Sequence, residues 1–189
     1  MLHQKKHGTV YLIGDSTMCF YTPEQSPLTG WGMPFADFFD STVTIKNTAE
    51  GGESTRTFIE ENRWKAVADS LSDGDYVLIQ FGHNDEVPSK SSYTTEKDYR
   101  TNLIRFINET RNKHAEPVLI TPVARRKFDD SGNIQEVHKA YSAIVRDVAF
   151  QYKVPLIDLD KKSQQLLQDL GPEKSKSLFL AAGENPYYP

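Results

Sequence analysis

Five short runs of apolar and β-branched residues are spread along the chain, and they predict five β-strands. The first lies in the stretch 9–18, TVYLIGDSTM, and halts at Gly14, so that it delivers Ser16 to its carboxyl end. The run at residues 76–81, YVLIQF, is almost continuously apolar, as is typical of a strand that is covered on both faces. The other strands are predicted at residues 43–46, 117–123 and 154–159.

Apolar residues at helical spacing lie between these runs. One stripe keeps the spacing i, i+4, i+7, i+8 of a helix face, at Tyr99, Leu103, Phe106 and Ile107. With Thr95 as its cap, this stripe predicts a helix that ends near residue 113. Further helices are predicted at residues 57–70, near 137–152, near 166–170 with its end at Gly171, and, as a shorter element with proline in its first turn, at 34–39.

The alternation of strands and helices predicts an α/β fold. Helices of ten or more residues between strands imply a parallel sheet covered on both faces, and right-handed crossovers then give a three-layer α/β/α arrangement. About five strands suit the flavodoxin-like order 2-1-3-4-5, in which the winding reverses between the first and third strands. The loops that carry Ser16, Gly52 and Asn84 should therefore meet at one edge of the sheet.

Composition narrows the class of protein. The 189 residues fit one domain, predicted to span the whole chain, and a mean hydropathy of −0.57 is typical of a protein without membrane spans. With 22 basic and 26 acidic residues the net charge is −4, and no basic stripe is present, so a nucleic-acid partner is not expected. A lone cysteine, Cys19, excludes an internal disulfide. The oligomeric state is left open.

The first residues, MLHQKKHG, are basic but are not followed by the apolar core of a signal peptide. The expected localisation is therefore cytoplasmic for the chain as given, and secreted or periplasmic if a signal peptide was removed.

Three peptides carry residues suited to attack on an ester carbonyl. Such attack needs a nucleophile, a base, and donors aimed at the oxygen that becomes negative. Ser16 can be the nucleophile, and the N–H groups of Ser16 and Gly52, with the Asn84 carboxamide, can be the donors. Taken singly, each has a structural alternative: a serine after a strand is often a helix cap, a Gly-Gly pair a turn, and Asn-Asp a cap.

Taken together, these peptides resemble the SGNH, or GDSL-type, hydrolases. Within that superfamily the chain is similar to the rhamnogalacturonan acetylesterases, which remove acetyl groups from pectin, and the similar segments are GDSTM at 14–18, GWG at 30–32, NTAEGGESTRT at 47–57, FGHND at 81–85 and TPVARRKF at 121–128. The resemblance implies the SGNH hydrolase fold, an acetyl-Ser16 intermediate, and an oxyanion hole formed by Ser16, Gly52 and Asn84. The chain has no Gly-x-Ser-x-Gly motif, which argues against a classical α/β-hydrolase.

One family block has no counterpart in the chain. The family takes its base from an Asp-x-x-His segment near the C-terminus, whereas no histidine follows His138 here. We therefore expect the base and its orienting carboxylate to be absent and the turnover of these 189 residues to be impaired. His83 is expected to point away from Asn84, because neighbours on an extended segment face opposite sides. His3, His7, His114 and His138 receive no catalytic role either.

Candidates for substrate binding rest on weaker patterns. Trp31 can stack on a sugar ring or be a core or lid aromatic, and Arg125 and Arg126 can pair with uronate carboxylates or be solvated surface charge. No metal-ligand spacing is present, so no cofactor is expected. Three alternatives to a pectin acetylesterase stay open: an SGNH lipase or thioesterase, an acetylxylan-type deacetylase, and a non-catalytic carbohydrate-binding relic or incomplete fragment.

Overall fold

Five parallel strands form one sheet in residues 8–179, which are the residues that the computed structural model describes. Their bounds are Gly8–Gly14 (β1), Val43–Asn47 (β2), Tyr76–Gln80 (β3), Glu116–Ile120 (β4) and Leu156–Ile157 (β5). The strand order is β2-β1-β3-β4-β5, and every pair of neighbours is parallel. The predicted order is confirmed, and β1 is paired on both sides.

The helices connect these strands as the apolar stripes predict. Their bounds are Thr55–Glu60 (α1), Arg63–Ser70 (α2), Glu96–Arg111 (α3), Lys139–Tyr152 (α4) and Leu159–Lys174 (α5), with 3-10 turns at Pro23–Gln25, Pro34–Phe38 and Ser175–Leu178. Thr95 caps α3, because its side chain accepts a hydrogen bond from the Asp98 N–H. Within the described part of the chain, no helix has the length and apolarity needed to cross a membrane.

The prediction of one continuous helix at residues 57–70 is wrong, because two helices, α1 and α2, occupy this stretch. Asn62 adopts a left-handed conformation, with φ of 60°, and interrupts the helix between α1 and α2. Phe58 and Trp64 are both almost fully buried, yet residues six apart lie on different faces of a continuous helix. The interruption lets both side chains enter the same core.

Other predicted boundaries shift by a few residues. The strand predicted at 117–123 ends at Ile120, and the strand predicted at 154–159 is reduced to Leu156–Ile157, because Asp158 already caps α5. The short helix predicted at residues 34–39 is a 3-10 helix that spans Pro34–Phe38. The last helix is predicted to end at Gly171. In the structure Gly171, with φ of 70°, kinks α5, and the helix continues to Lys174.

Two apolar layers cover the sheet. One face of the strands contacts α1 to α4 through a large core that includes Tyr11, Ile13, Val77, Ile79, Phe58, Trp64, Phe81 and Phe106. The alternate strand residues face a smaller cluster that includes Val10, Leu12, Leu78, Ile120, Met18, Trp31, Phe35 and Leu159. This strict alternation confirms the α/β/α arrangement and leaves the strand ends free to carry polar residues.

Replacement of Phe106 by alanine should strongly destabilise the fold. The Phe106 ring is fully buried, 4.9 Å from the Trp64 ring and 5.8 Å from the Phe81 ring. We expect the free energy of unfolding, measured by urea denaturation, to fall by about 3–5 kcal/mol.

The matched control is Phe150→Ala on α4, whose side chain is 85% exposed. It should change the free energy of unfolding by less than about 0.5 kcal/mol. Similar losses in the two variants would contradict the assignment of this core.

Candidate active site

The turn that carries Ser16 is held by the buried side chain of Asp15. The Asp15 Oδ1 atom accepts hydrogen bonds from the Thr17 N–H at 2.9 Å and the Thr17 hydroxyl at 2.7 Å. The Asp15 carbonyl accepts the N–H groups of Met18 and Cys19, each at 3.1 Å. Burial raises the pKa of Asp15, and the donors of Thr17 and the backbone of His83 oppose that shift. Asp15 therefore shapes the turn that presents Ser16.

A second contact ties this turn to Trp31. The buried Gln80 side chain accepts from the Trp31 indole N–H at 2.7 Å and donates to the Thr17 hydroxyl at 2.5 Å. The Trp31 backbone N–H also donates to the Thr17 carbonyl at 2.9 Å. Close packing requires glycine here, since a Cβ at Gly30 would lie 2.1 Å from the Cys19 carbonyl oxygen. Trp31 is half-buried against Phe35, which favours a structural role, and its stacking on a sugar stays a prediction.

Ser16 itself is left available. Its carbonyl accepts a hydrogen bond from the Tyr21 hydroxyl at 3.0 Å. Within residues 8–179, neither the Ser16 hydroxyl nor the Ser16 N–H has a hydrogen-bond partner. The alternative of a helix cap is wrong, because the next helical turn begins at Pro23 and has Thr22 as its cap.

The loop of Gly52 runs beside the end of β1. The Thr48 N–H donates to the Leu12 carbonyl at 2.9 Å, and the Glu50 N–H donates to the Gly14 carbonyl at 3.1 Å. Gly52 is exposed and has φ of 84°, a conformation that favours glycine. Among the described residues its N–H has no hydrogen-bond partner, so it can serve a ligand.

The Asn84 carboxamide joins the loop after β3 to the loop of Gly52. The side chain is 3% exposed, and its Nδ2 donates to the Glu53 carbonyl at 2.8 Å. Its Oδ1 accepts from the Lys90 ammonium at 2.7 Å. Because a primary amide has two N–H hydrogens, one of them remains for a ligand. The alternative that Asn84-Asp85 caps the next helix is wrong, because Thr95 caps α3.

Asp85 anchors the start of α1 in this edge of the sheet. Its Oδ1 accepts from the Thr55 N–H at 2.9 Å and the Thr55 hydroxyl at 2.7 Å. Burial raises the pKa of Asp85 to about 7, although the Thr55 donors favour the charged form. The carboxyl therefore fixes the helix that follows Gly52.

The strand pairing explains why these loops meet. Gly14 lies opposite Gln80 on β3, and Leu12 lies opposite Asn47 on β2, so the three loops leave the same edge of the sheet. The Glu50–Gly14 and Asn84–Glu53 hydrogen bonds then join the loops directly. The predicted convergence is confirmed, and the roles of Ser16, Gly52 and Asn84 in catalysis remain predictions.

His83 and His138 make contacts that stabilise the fold around the candidate site. His83 Nε2 lies 2.9 Å from the Val123 carbonyl, and its ring is 4.4 Å from the ring of the buried His138. Burial, together with His138 and Arg125, lowers the pKa of His83 to about 3, which makes it a poor base. In the described part of the chain no imidazole hydrogen-bonds to Ser16. His3 and His7 lie outside the described residues.

The two arginines have different surroundings. Arg125 is exposed and donates to the His83 carbonyl at 3.2 Å, so it lies beside the loop that carries Asn84. Arg126 donates to the Ser175 hydroxyl at 3.0 Å and to the Pro172 carbonyl, and so ties its loop to the end of α5. The structure therefore brings Arg125, but not Arg126, to the candidate site.

Three residues that hold the candidate site together, Gln80, Glu53 and Lys90, were not identified from the sequence. Gln80 belongs to an apolar strand pattern, and Glu53 and Lys90 lie in polar loops where nothing marks them out. In residues 8–179 no group of three or more histidines, cysteines and carboxylates is arranged to hold a metal ion. The groups at this edge that suit attack on an ester are the Ser16 hydroxyl and the N–H donors.

Comparisons with known proteins agree with this geometry. The profile of the GDSL-like Lipase/Acylhydrolase family matches residues 12–178. Rhamnogalacturonan acetylesterase RhgT of Bacillus subtilis (strain 168) is 41% identical over 188 residues, which are 98% of this chain and 80% of that protein. Probable rhamnogalacturonan acetylesterase YesY of the same organism is 34% identical over 184 residues, 94% of this chain and 82% of that protein.

Solved structures give the same fold. The structure of YxiM from Bacillus subtilis has a TM-score of 0.84 at 30% identity and covers 93% of this chain and 50% of that chain. Axe2, an acetylxylan esterase from Geobacillus stearothermophilus, has a TM-score of 0.66 at 20% identity, with 88% of this chain and 84% of that chain covered. The likeness to Axe2 shows the common architecture.

Replacement of His83 by glutamine should weaken the pH dependence of stability. A histidine whose pKa is about 3 when folded and about 6.5 when unfolded binds fewer protons in the folded state between these values. Its contribution to stability is thus complete above about pH 6.5 and is lost as the pH falls toward 3. We expect the difference in unfolding free energy between pH 7 and pH 4 to be smaller in His83→Gln.

The measurement is urea denaturation of both proteins at each pH. Glutamine keeps an N–H donor that can reach the Val123 carbonyl, so the variant should fold. Equal pH dependence in the two proteins would contradict the buried, neutral state of His83.

Proposed function

Because the chain belongs to the GDSL-like lipase/acylhydrolase family, we propose that it is a serine esterase that removes acetyl groups from O-acetylated pectic carbohydrate. The observation that best supports the proposal is the position of the Asn84 carboxamide. It is bonded to the Gly52 loop through Glu53 and keeps one N–H for a ligand, on the sheet edge where the Ser16 hydroxyl emerges. The names of RhgT and YesY support a pectic substrate.

In the proposed reaction the Ser16 Oγ attacks the acetyl carbonyl carbon while its proton passes to a base. The carbonyl oxygen becomes negative and accepts hydrogen bonds from the N–H groups of Ser16 and Gly52 and from Asn84 Nδ2. The bond to the sugar oxygen then breaks, and the sugar leaves as an alcohol with the proton. Water attacks acetyl-Ser16 in the same way, which releases acetate and restores the serine.

The proposed reaction needs a general base, and no histidine among the described residues is placed to act as one. His83 is engaged with Val123, and no histidine follows His138 in the sequence, so the family's Asp-x-x-His block has no counterpart here. Removal of a triad base costs up to about 10⁶-fold in turnover. We propose that these 189 residues turn over slowly on their own and that an imidazole supplied from solution restores part of the rate.

Arg125 supports the pectic substrate over a lipid. It is an exposed guanidinium beside the loop of Asn84, and it can form a bidentate pair with a uronate carboxylate. A long acyl chain would need an apolar groove at this position instead. Arg126, which is bonded to the end of α5, is not needed for this proposal.

The test is hydrolysis of p-nitrophenyl acetate by the chain and by Ser16→Ala, each with increasing imidazole. Imidazole cleaves the ester by itself, so the Ser16→Ala protein measures that background. We expect an imidazole-dependent rate above the background only when Ser16 is present, together with an acetyl group on Ser16 in quenched samples analysed by mass spectrometry. Identical rates in the two proteins at every imidazole concentration would contradict the esterase.

The substrate class is tested by release of acetate in the presence of imidazole. Acetylated rhamnogalacturonan should be cleaved faster than acetylated xylan or a long-chain p-nitrophenyl ester. Faster release from xylan would favour the deacetylase alternative, and preference for the long chain would favour a lipase. Unchanged sugar binding by Ser16→Ala, without acetate release by either protein, would favour the carbohydrate-binding relic.

A further inference from the structure

We infer that Lys90 is a positioning residue that fixes the Asn84 carboxamide with its remaining N–H turned toward the oxyanion. This inference rests on the proposed function and adds a residue that the family motifs do not include. Lys90 lies six positions after Asn84, in the loop between β3 and α3. It is exposed, yet its ammonium is bonded to the oxygen of a buried side chain.

Two hydrogen bonds of opposite polarity determine the orientation of the carboxamide. Nδ2 donates to the Glu53 carbonyl at 2.8 Å, and Oδ1 accepts from the Lys90 ammonium at 2.7 Å. A half-turn of the amide would set its oxygen against a carbonyl oxygen and its NH₂ group against an ammonium, and both contacts are repulsive. Without Lys90, only the Glu53 carbonyl would oppose this rotation.

Among the residues that the structure describes, the Lys90 ammonium bonds only to Asn84. Within the described residues no carboxylate lies within ion-pair distance of Lys90, whereas most other bonds from surface lysines in this protein go to acids. A charged donor on the amide oxygen forms a stronger bond than a neutral one and polarises the amide, which makes Nδ2 a better donor. A donor that is already oriented needs no rearrangement when the oxyanion forms.

The loop that carries Lys90 is fastened to the same part of the site. The Lys90 N–H donates to the Val87 carbonyl at 3.0 Å, and its carbonyl accepts the Tyr93 N–H at 3.1 Å. Arg56 of α1 donates to the Tyr93 carbonyl at 3.2 Å and also to the Ser91 carbonyl. Because α1 begins directly after the Gly52 loop, these bonds fix the position of the Lys90 loop relative to the Gly52 loop.

The kinetic test compares Lys90→Met, which removes the charge at similar length, with Lys90→Arg, which keeps it. With imidazole supplied and p-nitrophenyl acetate as substrate, we expect Lys90→Met to lower kcat by about 10- to 100-fold, because misplacing one donor costs up to that much. KM should change by less than about twofold, and Lys90→Arg should recover most of the rate. Thermal unfolding of each variant establishes that it is folded.

Lys65→Met is the matched control. Lys65 is an exposed lysine on α2 that pairs with Asp69 at 2.5 Å, and its loss should leave kcat unchanged. A wild-type kcat in Lys90→Met would overturn the inference. So would a raised KM for acetylated rhamnogalacturonan with an unchanged kcat, because that result would make Lys90 a substrate-binding residue.

A second measurement separates this inference from the proposed function. The side-chain amide resonances of Asn84, recorded by ¹H–¹⁵N NMR on the free protein, do not depend on turnover. In Lys90→Met they should shift and exchange faster with water, whereas Lys65→Met should leave them in place. If wild type and Ser16→Ala hydrolyse ester equally, the proposed function fails, and unchanged Asn84 resonances in Lys90→Met would by themselves overturn the positioning role.

Discussion

The site depends on the pairing of β1 with strands on both sides. Because β2 and β3 run parallel to β1, all three strands present their carboxyl ends at one edge, and residues distant in sequence emerge there together. The Glu50 N–H then bonds the Gly14 carbonyl at the point where β1 ends. A change of register in this pairing would move Ser16 away from the Gly52 loop, since successive residues face opposite sides of a strand.

Buried polar side chains convert this meeting of loops into a defined geometry. Asp15 holds the turn of Ser16, Gln80 joins that turn to Trp31, and Asn84 joins the third loop to the second. A buried polar group without a partner is costly, so each of these bonds also restricts the position of its loop. The N–H groups of half-buried Ser16 and exposed Gly52 have no hydrogen-bond partner within residues 8–179, so they are open to a ligand.

Burial also makes His83 a poor base. The His83 ring contacts the ring of buried His138, and desolvation, which lowers the pKa of His83, raises the pKa of neighbouring Asp85. The imidazole next to Asn84 in sequence thus joins two loops through the Val123 carbonyl. Proximity along the chain does not make it a base.

The sequence by itself determined the strands, most helices and the three peptides of the candidate site, because hydrophobic periodicity and glycine-bearing motifs are local signals. The alternation of strands and helices then gave the layers and the strand order, because crossovers between parallel strands follow few topologies. Tertiary structure alone decided the helix break at Asn62, which places Phe58 and Trp64 in one core, and the separation of Arg125 from Arg126. It also decided that Lys90 contacts Asn84 and that Gln80 contacts Trp31. Such contacts join segments through side chains whose residue types are common on any strand or loop, so no pattern along the chain could reveal them.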